Sequence, residues 1–224
     1  MKAKLSDGKK QLEKLTEIYI FLIIVVFPLI VDKTGFFKIL ECKWYSYVTI
    51  SAIYIFMVLL VNIYYYLKYK VKLYQKKLTK VTWIAIAFLI TNIISYLLSP
   101  FLKTNNLLIG TGRGEGLIVS LLYVISFLLV SHFGLFKKRQ ISYFAISSIL
   151  VSGIAILQFV GFNPFNMYQD GIGTHNVSFM TTIGNVDFIS AYYTIMIPKK
   201  IVILDKIPIN EHGKYDRKKL NELW

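Results

Sequence analysis

Four glycines, an arginine and a glutamate crowd one short stretch, Asn105-Asn106-Leu107-Leu108-Ile109-Gly110-Thr111-Gly112-Arg113-Gly114-Glu115-Gly116. Glycine lets the backbone turn sharply or come close to a ligand. Arg113 carries a planar fork of donors matched to phosphate or carboxylate. It stands just ahead of an apolar run whose helix would begin with partial positive charge. A diphosphate at a membrane surface suits that combination, with Gly112, Arg113 and Gly114 as binding residues and Arg113 and Glu115 as candidates for chemistry. The same residues also read as a glycine-rich turn in which Arg113 pairs with Glu115 or with lipid headgroups. No Gly-Lys-Ser/Thr follows, so this is not a Walker loop. No strand precedes it and the glycine spacing differs, so it is not a dinucleotide fingerprint.

A second stretch is rich in amides, threonines and rings. It runs from Gly161-Phe162-Asn163-Pro164-Phe165-Asn166 through Tyr168–Asn176 to Thr181-Thr182-Ile183-Gly184-Asn185-Val186-Asp187-Phe188. Planar amides and aromatic faces are what sugar binding tends to use. His175 is the one histidine here with an acid/base setting, though a loop histidine is more often an ordinary surface residue. His132 reads as filler near the end of an apolar run. No His, Asp, Glu or Cys grouping has metal-ligand spacing, and Cys42 has no CxxC partner, so neither a metal nor a cofactor is expected.

Both stretches are connections between apolar runs. Those runs cover roughly 18–31, 45–67, 81–102, 116–136 and 141–161, in a chain of 224 residues that is 55% hydrophobic. Four meet the ~20-residue requirement of a spanning helix, and the first does if it starts near Leu15. In hydrocarbon every backbone polar group must be bonded within the chain, which a segment of this length achieves as a helix. The expectation is an all-α membrane protein with five transmembrane helices. A short sixth begins near Val186, and an irregular tail follows. Pro28 should kink or loosen the first helix.

The net charge of +14 would suggest nucleic acid in a soluble protein, but the lysines lie in the connections. Rich segments are the start (Lys2, Lys4, Lys9, Lys10, Lys14), the second connection (Lys68, Lys70, Lys72, Lys76, Lys77, Lys80) and the fourth (Lys137, Lys138, Arg139). The intervening connections are poorer. If all five runs span, every rich segment falls on one side, which the positive-inside rule makes the cytoplasm. Nucleic acid is therefore not an expected partner; membrane lipid is. Trp44, Tyr45, Tyr47, Tyr64, Tyr65, Tyr66 and Tyr69 bracket the second run as an interfacial belt.

The Arg113-Gly114-Glu115-Gly116 segment, the helix ending Leu157-Gln158-Phe159-Val160-Gly161, and Thr182-Ile183-Gly184-Asn185-Val186-Asp187-Phe188 ahead of Ser190-Ala191-Tyr192-Tyr193 together resemble the front half of O-antigen ligase and polymerase-like membrane proteins of Gram-positive bacteria. The resemblance covers about residues 15–195. It implies handling of a polyprenyl-diphosphate-linked oligosaccharide at the outer face of the bacterial cytoplasmic membrane, without metal or nucleotide. Arg113 would contact the carrier diphosphate or its glycan, and Asn185 and Asp187 would shape the mouth of the site. That family continues through several more spans and a large external loop, so a truncated member with little activity alone is expected.

After Ile197 the composition turns polar and basic. The spacing Ile207-Pro208 … Gly213-Lys214-Tyr215-Asp216-Arg217 … Leu220 resembles the extreme carboxyl end of adenylating enzymes, such as peptide-synthetase adenylation domains and the D-alanine–carrier protein ligase. In that family the matching lysine, here Lys214, stabilises charge on the reacting carboxylate and phosphate. Nothing else in the chain offers an ATP site, so Lys214 is expected to be vestigial. The organisation expected is thus a basic cytoplasmic segment (1–14), a membrane region (15–197) and an adenylating-enzyme-like remnant (198–224), joined near Ile195–Pro198 as a chimera. The rivals are a non-catalytic integral membrane protein and a small transporter. The second is disfavoured because no span carries the paired ionisable residues that line ion pathways.

Overall fold

The computed structural model describes residues 2–33, 35–74, 79–101, 106–112, 114–165, 167 and 180–196. Arg113, His175 and the whole tail with Lys214 lie outside the described residues. Among the described residues there are six α-helices and no strand: α1 (Lys2–Phe21), α2 (Ile39–Tyr69), α3 (Lys80–Leu98), α4 (Leu117–Phe133), α5 (Lys138–Phe159) and α6 (Val186–Met196). Helices α2, α3 and α5 are long and apolar enough to cross a membrane. Helix α4 has 17 residues, at the lower limit of the ~17–25 that spanning requires.

The first apolar run is not a free-standing helix beginning near Leu15. It is the second half of a helix that starts at Lys2 and changes geometry at Phe21, into a π turn (Leu22–Val26) and then a 3-10 turn (Phe27–Leu29). Pro28 is the cause. It has no N–H for the α-helical acceptor four residues back, the carbonyl of Ile24. The fold repairs this from elsewhere: the Ser147 hydroxyl of α5 donates to the Ile24 carbonyl at 2.5 Å. Ser147 in turn bonds the Tyr192 hydroxyl of α6 at 2.6 Å. The carbonyls of Phe27 and Pro28 each accept from Lys43 Nζ of α2 at 2.8 Å. A break in one helix therefore becomes the place where α2, α5 and α6 are tied to it.

Replacing Ser147 by alanine is expected to cost about 1 kcal/mol, because a part-buried carbonyl loses its partner. The thermal midpoint of the purified chain in detergent should fall. An unchanged midpoint would show that the Ile24 carbonyl does not depend on α5.

Helix α1 packs against α2 and α4, and its inner face alternates polar and apolar grip. Thr16 bonds the Tyr54 hydroxyl at 2.9 Å and Tyr19 bonds Ser51 at 3.1 Å. The Tyr19 and Tyr54 rings stack with centroids 4.2 Å apart. Hydroxyl pairs of this kind join helices where apolar attraction between them is weak. Below this layer Leu12, Tyr65, Val71, Leu73 and Phe133 form a small apolar core. Tyr65 is thus buried within the bundle and is not part of an interfacial belt, whereas Tyr45, Tyr64 and Tyr66 are exposed.

Helix α3 starts where Thr79 Oγ1 accepts from Thr82 N, an N-cap. It packs chiefly on α4 and buries none of its residues. Ile84 is 69% exposed and Leu98 77%. Its residues are partly covered on the α4 side, and the remaining apolar surface is left exposed within the bundle.

Charge separates along the bundle. Glu17 of α1 receives Lys137 Nζ at 3.4 Å and the Tyr143 hydroxyl at 3.3 Å, and pairs with Arg139. Lys4 lies over the Tyr69 ring. The described parts of the three basic segments thus meet at one end of the bundle, formed by the start of α1, the end of α2 and the α4–α5 turn. The described parts of the glycine-rich and amide-rich connections gather at the other end, around the starts of α2, α4 and α6.

Candidate functional site: the glycine end of the bundle

The first connection folds back over the start of α4. Gly116, Leu117 and Ile118 donate their N–H groups to the carbonyls of Ile109, Leu107 and Leu108, at 2.9, 3.2 and 3.1 Å. Gly110 donates to the Asn106 carbonyl at 2.7 Å, while Asn106 Oδ1 accepts from Ile109 N at 3.4 Å. Gly110 has φ +92°, and a Cβ there would meet the backbone nitrogens of Glu115 and Gly116 at 2.7 Å. At Gly116 a Cβ would run into the Leu108 carbonyl oxygen, so two of the four glycines, Gly110 and Gly116, are required by the closeness of the loop to its own helix.

This changes what the helix start can do. Three of its first N–H groups, the donors on which anion binding at a helix N-terminus depends, are already bonded within the loop. Recognition of a diphosphate here would draw less on these three donors and more on side chains, with Arg113 the nearest candidate in sequence.

Gly112 and Gly114 differ from each other. Both take positive φ, +74° and +70°. At Gly112 a Cβ would meet nothing within 4 Å, whereas at Gly114 it would run into the Trp44 ring. Gly114 is the seat of the loop on α2, and Gly112 is open surface. Trp44 Nε1 is buried there without a hydrogen-bond partner among the described residues. Glu115 is exposed.

The second connection is held by a residue that sequence reading passed over as a mere helix ending. Gln158 is 1% exposed, and its Oε1 accepts from Thr181 N at 2.7 Å. Thr181 sits at φ +46°, in the left-handed region, where a non-glycine backbone needs such an anchor. Gly161, at φ +86°, ends α5: Phe162 N bonds the Leu157 carbonyl at 2.9 Å and Gly161 N the Gln158 carbonyl at 3.1 Å. That pair of bonds is the Schellman arrangement that glycine favours. The Leu-Gln-Phe-x-Gly and Thr-Ile-Gly-Asn segments are thus two halves of one structural joint.

Beyond the joint, Asn185 caps α6, its Oδ1 accepting from Asp187 N at 2.8 Å. Asn185 and Asp187 are both exposed. Gly184, at φ +84°, lies against Ile39, where a Cβ would come within 2.8 Å of Cδ1.

Ile39 and Trp44 are five residues apart on α2, about 7.5 Å along its axis. Both loops thus dock on the first turns of one helix, Gly184 on Ile39 and Gly114 on Trp44. Of the residues expected to bind or react, Gly112, Gly114, Glu115, Asn185 and Asp187 come to this one end. Trp44, taken as an interfacial anchor, is the platform of the first loop. Its aromatic type was legible in the sequence, but its contact with Gly114 was not.

Comparison of the chain with protein-family models, with curated proteins and with solved structures finds no match. The class that the fold itself supports is a protein that is helical among the described residues, three of its helices there having membrane-crossing length and apolarity.

Proposed function

We propose that the chain is a five-span protein of the bacterial cytoplasmic membrane. Its amino terminus lies in the cytoplasm, and its glycine end handles a polyprenyl-diphosphate-linked glycan at the outer face. The observation that carries the reading is the separation of the connections: basic ones meet at one end, and the glycine and amide loops dock together on α2 at the other. The uncovered apolar surface of α3 supports insertion in lipid. In this reading α1 with its π turn and α4 complete the five spans, and α6 reaches only part of the way.

Arg113 is assigned the diphosphate because its fork can make paired, charge-assisted bonds. Arg113→Ala should weaken binding of a polyprenyl-diphosphate oligosaccharide by about tenfold or more, with Arg113→Lys between it and the wild type. Equal binding by the wild type and the alanine variant would remove the assignment.

A second reading, binding without transfer, draws support from the bonded N–H groups at the start of α4, which leave fewer donors for a developing charge. A glycan-transfer assay in membranes separates the two readings. The adenylating-enzyme-like tail is assigned no activity: purified chain should show no amino-acid-dependent pyrophosphate exchange. Exchange that vanishes in Lys214→Ala would make the tail a working part.

A further inference from the structure

At the basic end, a cleft of ≈ 480 Å³ opens between α1 and the start of α5. One wall is a single face of α1. Lys10, Lys14, Ile18 and Phe21 fall at the helical spacing that stacks them in a row. The opposite wall is Lys137, Arg139 and Tyr143. Glu17 lies at the back, 8% exposed, and its carboxylate takes Lys137, Arg139 and Tyr143. Glu13 is the other carboxylate lining it.

Four cations thus face two carboxylates, and the better-buried carboxylate is already engaged. Lys10 and Lys14 have no ion-pair partner among the described residues. Charge is also graded along the row. The lysines lie toward the amino end, while Ile18 and Phe21, 47% and 36% exposed, lie toward the apolar body. Phe21 meets Tyr143 edge-on at 5.2 Å between centroids, which closes the apolar side.

A free phosphate would use the lysines and leave the apolar half of the cleft empty. A phospholipid would use both. We propose that this cleft is a binding site for the headgroup of an anionic phospholipid, the phosphate held by Lys10 and Lys14 and an acyl chain lying over Ile18 and Phe21. The excess of positive charge in the lining selects an anionic over a zwitterionic headgroup. The inference rests on the membrane reading above and adds a defined lipid to it.

The test uses the full chain purified in a neutral detergent. Phosphatidylglycerol, phosphatidylcholine or inorganic phosphate is titrated in, with bound lipid counted by native mass spectrometry and the thermal midpoint followed in parallel. Phosphatidylglycerol should be retained in preference to phosphatidylcholine and should raise the midpoint. The Lys10→Gln/Lys14→Gln variant should bind it about tenfold more weakly. Lys68→Gln/Lys72→Gln, which removes equal charge from the same end outside the cleft, should bind as the wild type does.

Inorganic phosphate that competes fully with the lipid at millimolar concentration would show a free-anion site and overturn the lipid assignment. Equal retention of the two lipids by the wild type, or equal loss in both double variants, would also overturn it. Carbonate extraction of membranes from the same cells reports insertion separately, so failure of the membrane reading and failure of the lipid site are distinguishable.

Discussion

Gly114→Ala is expected to destabilise the purified chain by about 2–4 kcal/mol, and Gly112→Ala by about 1 kcal/mol. Both positions hold left-handed backbone, so both alanines carry the conformational penalty. Only at Gly114 does the added methyl meet a ring, that of Trp44, on the helix that receives the loop. The steric part should therefore be recoverable: Trp44→Ala in the Gly114→Ala background removes the collision, and the two substitutions together should cost less than their sum. Equal effects at the two glycines in thermal or denaturant unfolding would mean that the loop does not dock on Trp44. Under the proposed function, binding of a polyprenyl-diphosphate-linked glycan should follow the same order, because the loop that carries Arg113 is seated by Gly114.

Glu17→Ala is expected to loosen the basic end by about 1–3 kcal/mol. One carboxylate, with its side chain 10% exposed, serves Lys137, Arg139 and Tyr143. It is the principal polar tie between α1 and the start of α5. The figure stays below that of a fully buried pair because the cations are 40% and 55% exposed and exchange with water. For the same reason the effect should shrink in high salt. Arg139→Gln should cost less than Glu17→Ala, since Lys137 and Tyr143 keep their acceptor. A larger loss in Arg139→Gln would contradict the assignment of Glu17 as the hub.

Much of the helical order was legible from the apolar runs, because a run that must satisfy its own backbone leaves little choice of structure. What was not legible depended on contacts between runs. The effect of Pro28 on the first helix could be expected from its missing N–H. That Ser147 and Lys43 would supply the missing bonds could not, since their partners lie more than a hundred and about fifteen residues away. The amino-terminal segment was read only as charge, yet its helix carries Leu12 into the core. At the candidate site the glycines pointed to close approaches, and four of them make such approaches: Gly114 to Trp44, Gly184 to Ile39, and Gly110 and Gly116 to the loop's own backbone. The favourable helix start expected behind Arg113 was misjudged in one respect: its N–H groups are bonded by carbonyls of the loop itself, a fold-back that no spacing rule announces. Gln158 was visible as part of a recurring segment, but its task became clear only once Thr181 was placed beside it.

The central claim is that the basic end faces the cytoplasm and the glycine end faces outward across a membrane. The direct measurement is labelling of intact cells with a membrane-impermeant thiol reagent, in a Cys42→Ser background carrying either Lys72→Cys or Thr111→Cys. Both positions are exposed, at opposite ends of the bundle. Thr111→Cys should label from outside, and Lys72→Cys should label only after the cells are permeabilised. Labelling of Lys72→Cys in intact cells, with Thr111→Cys protected, would contradict the orientation and with it the placement of the glycan site.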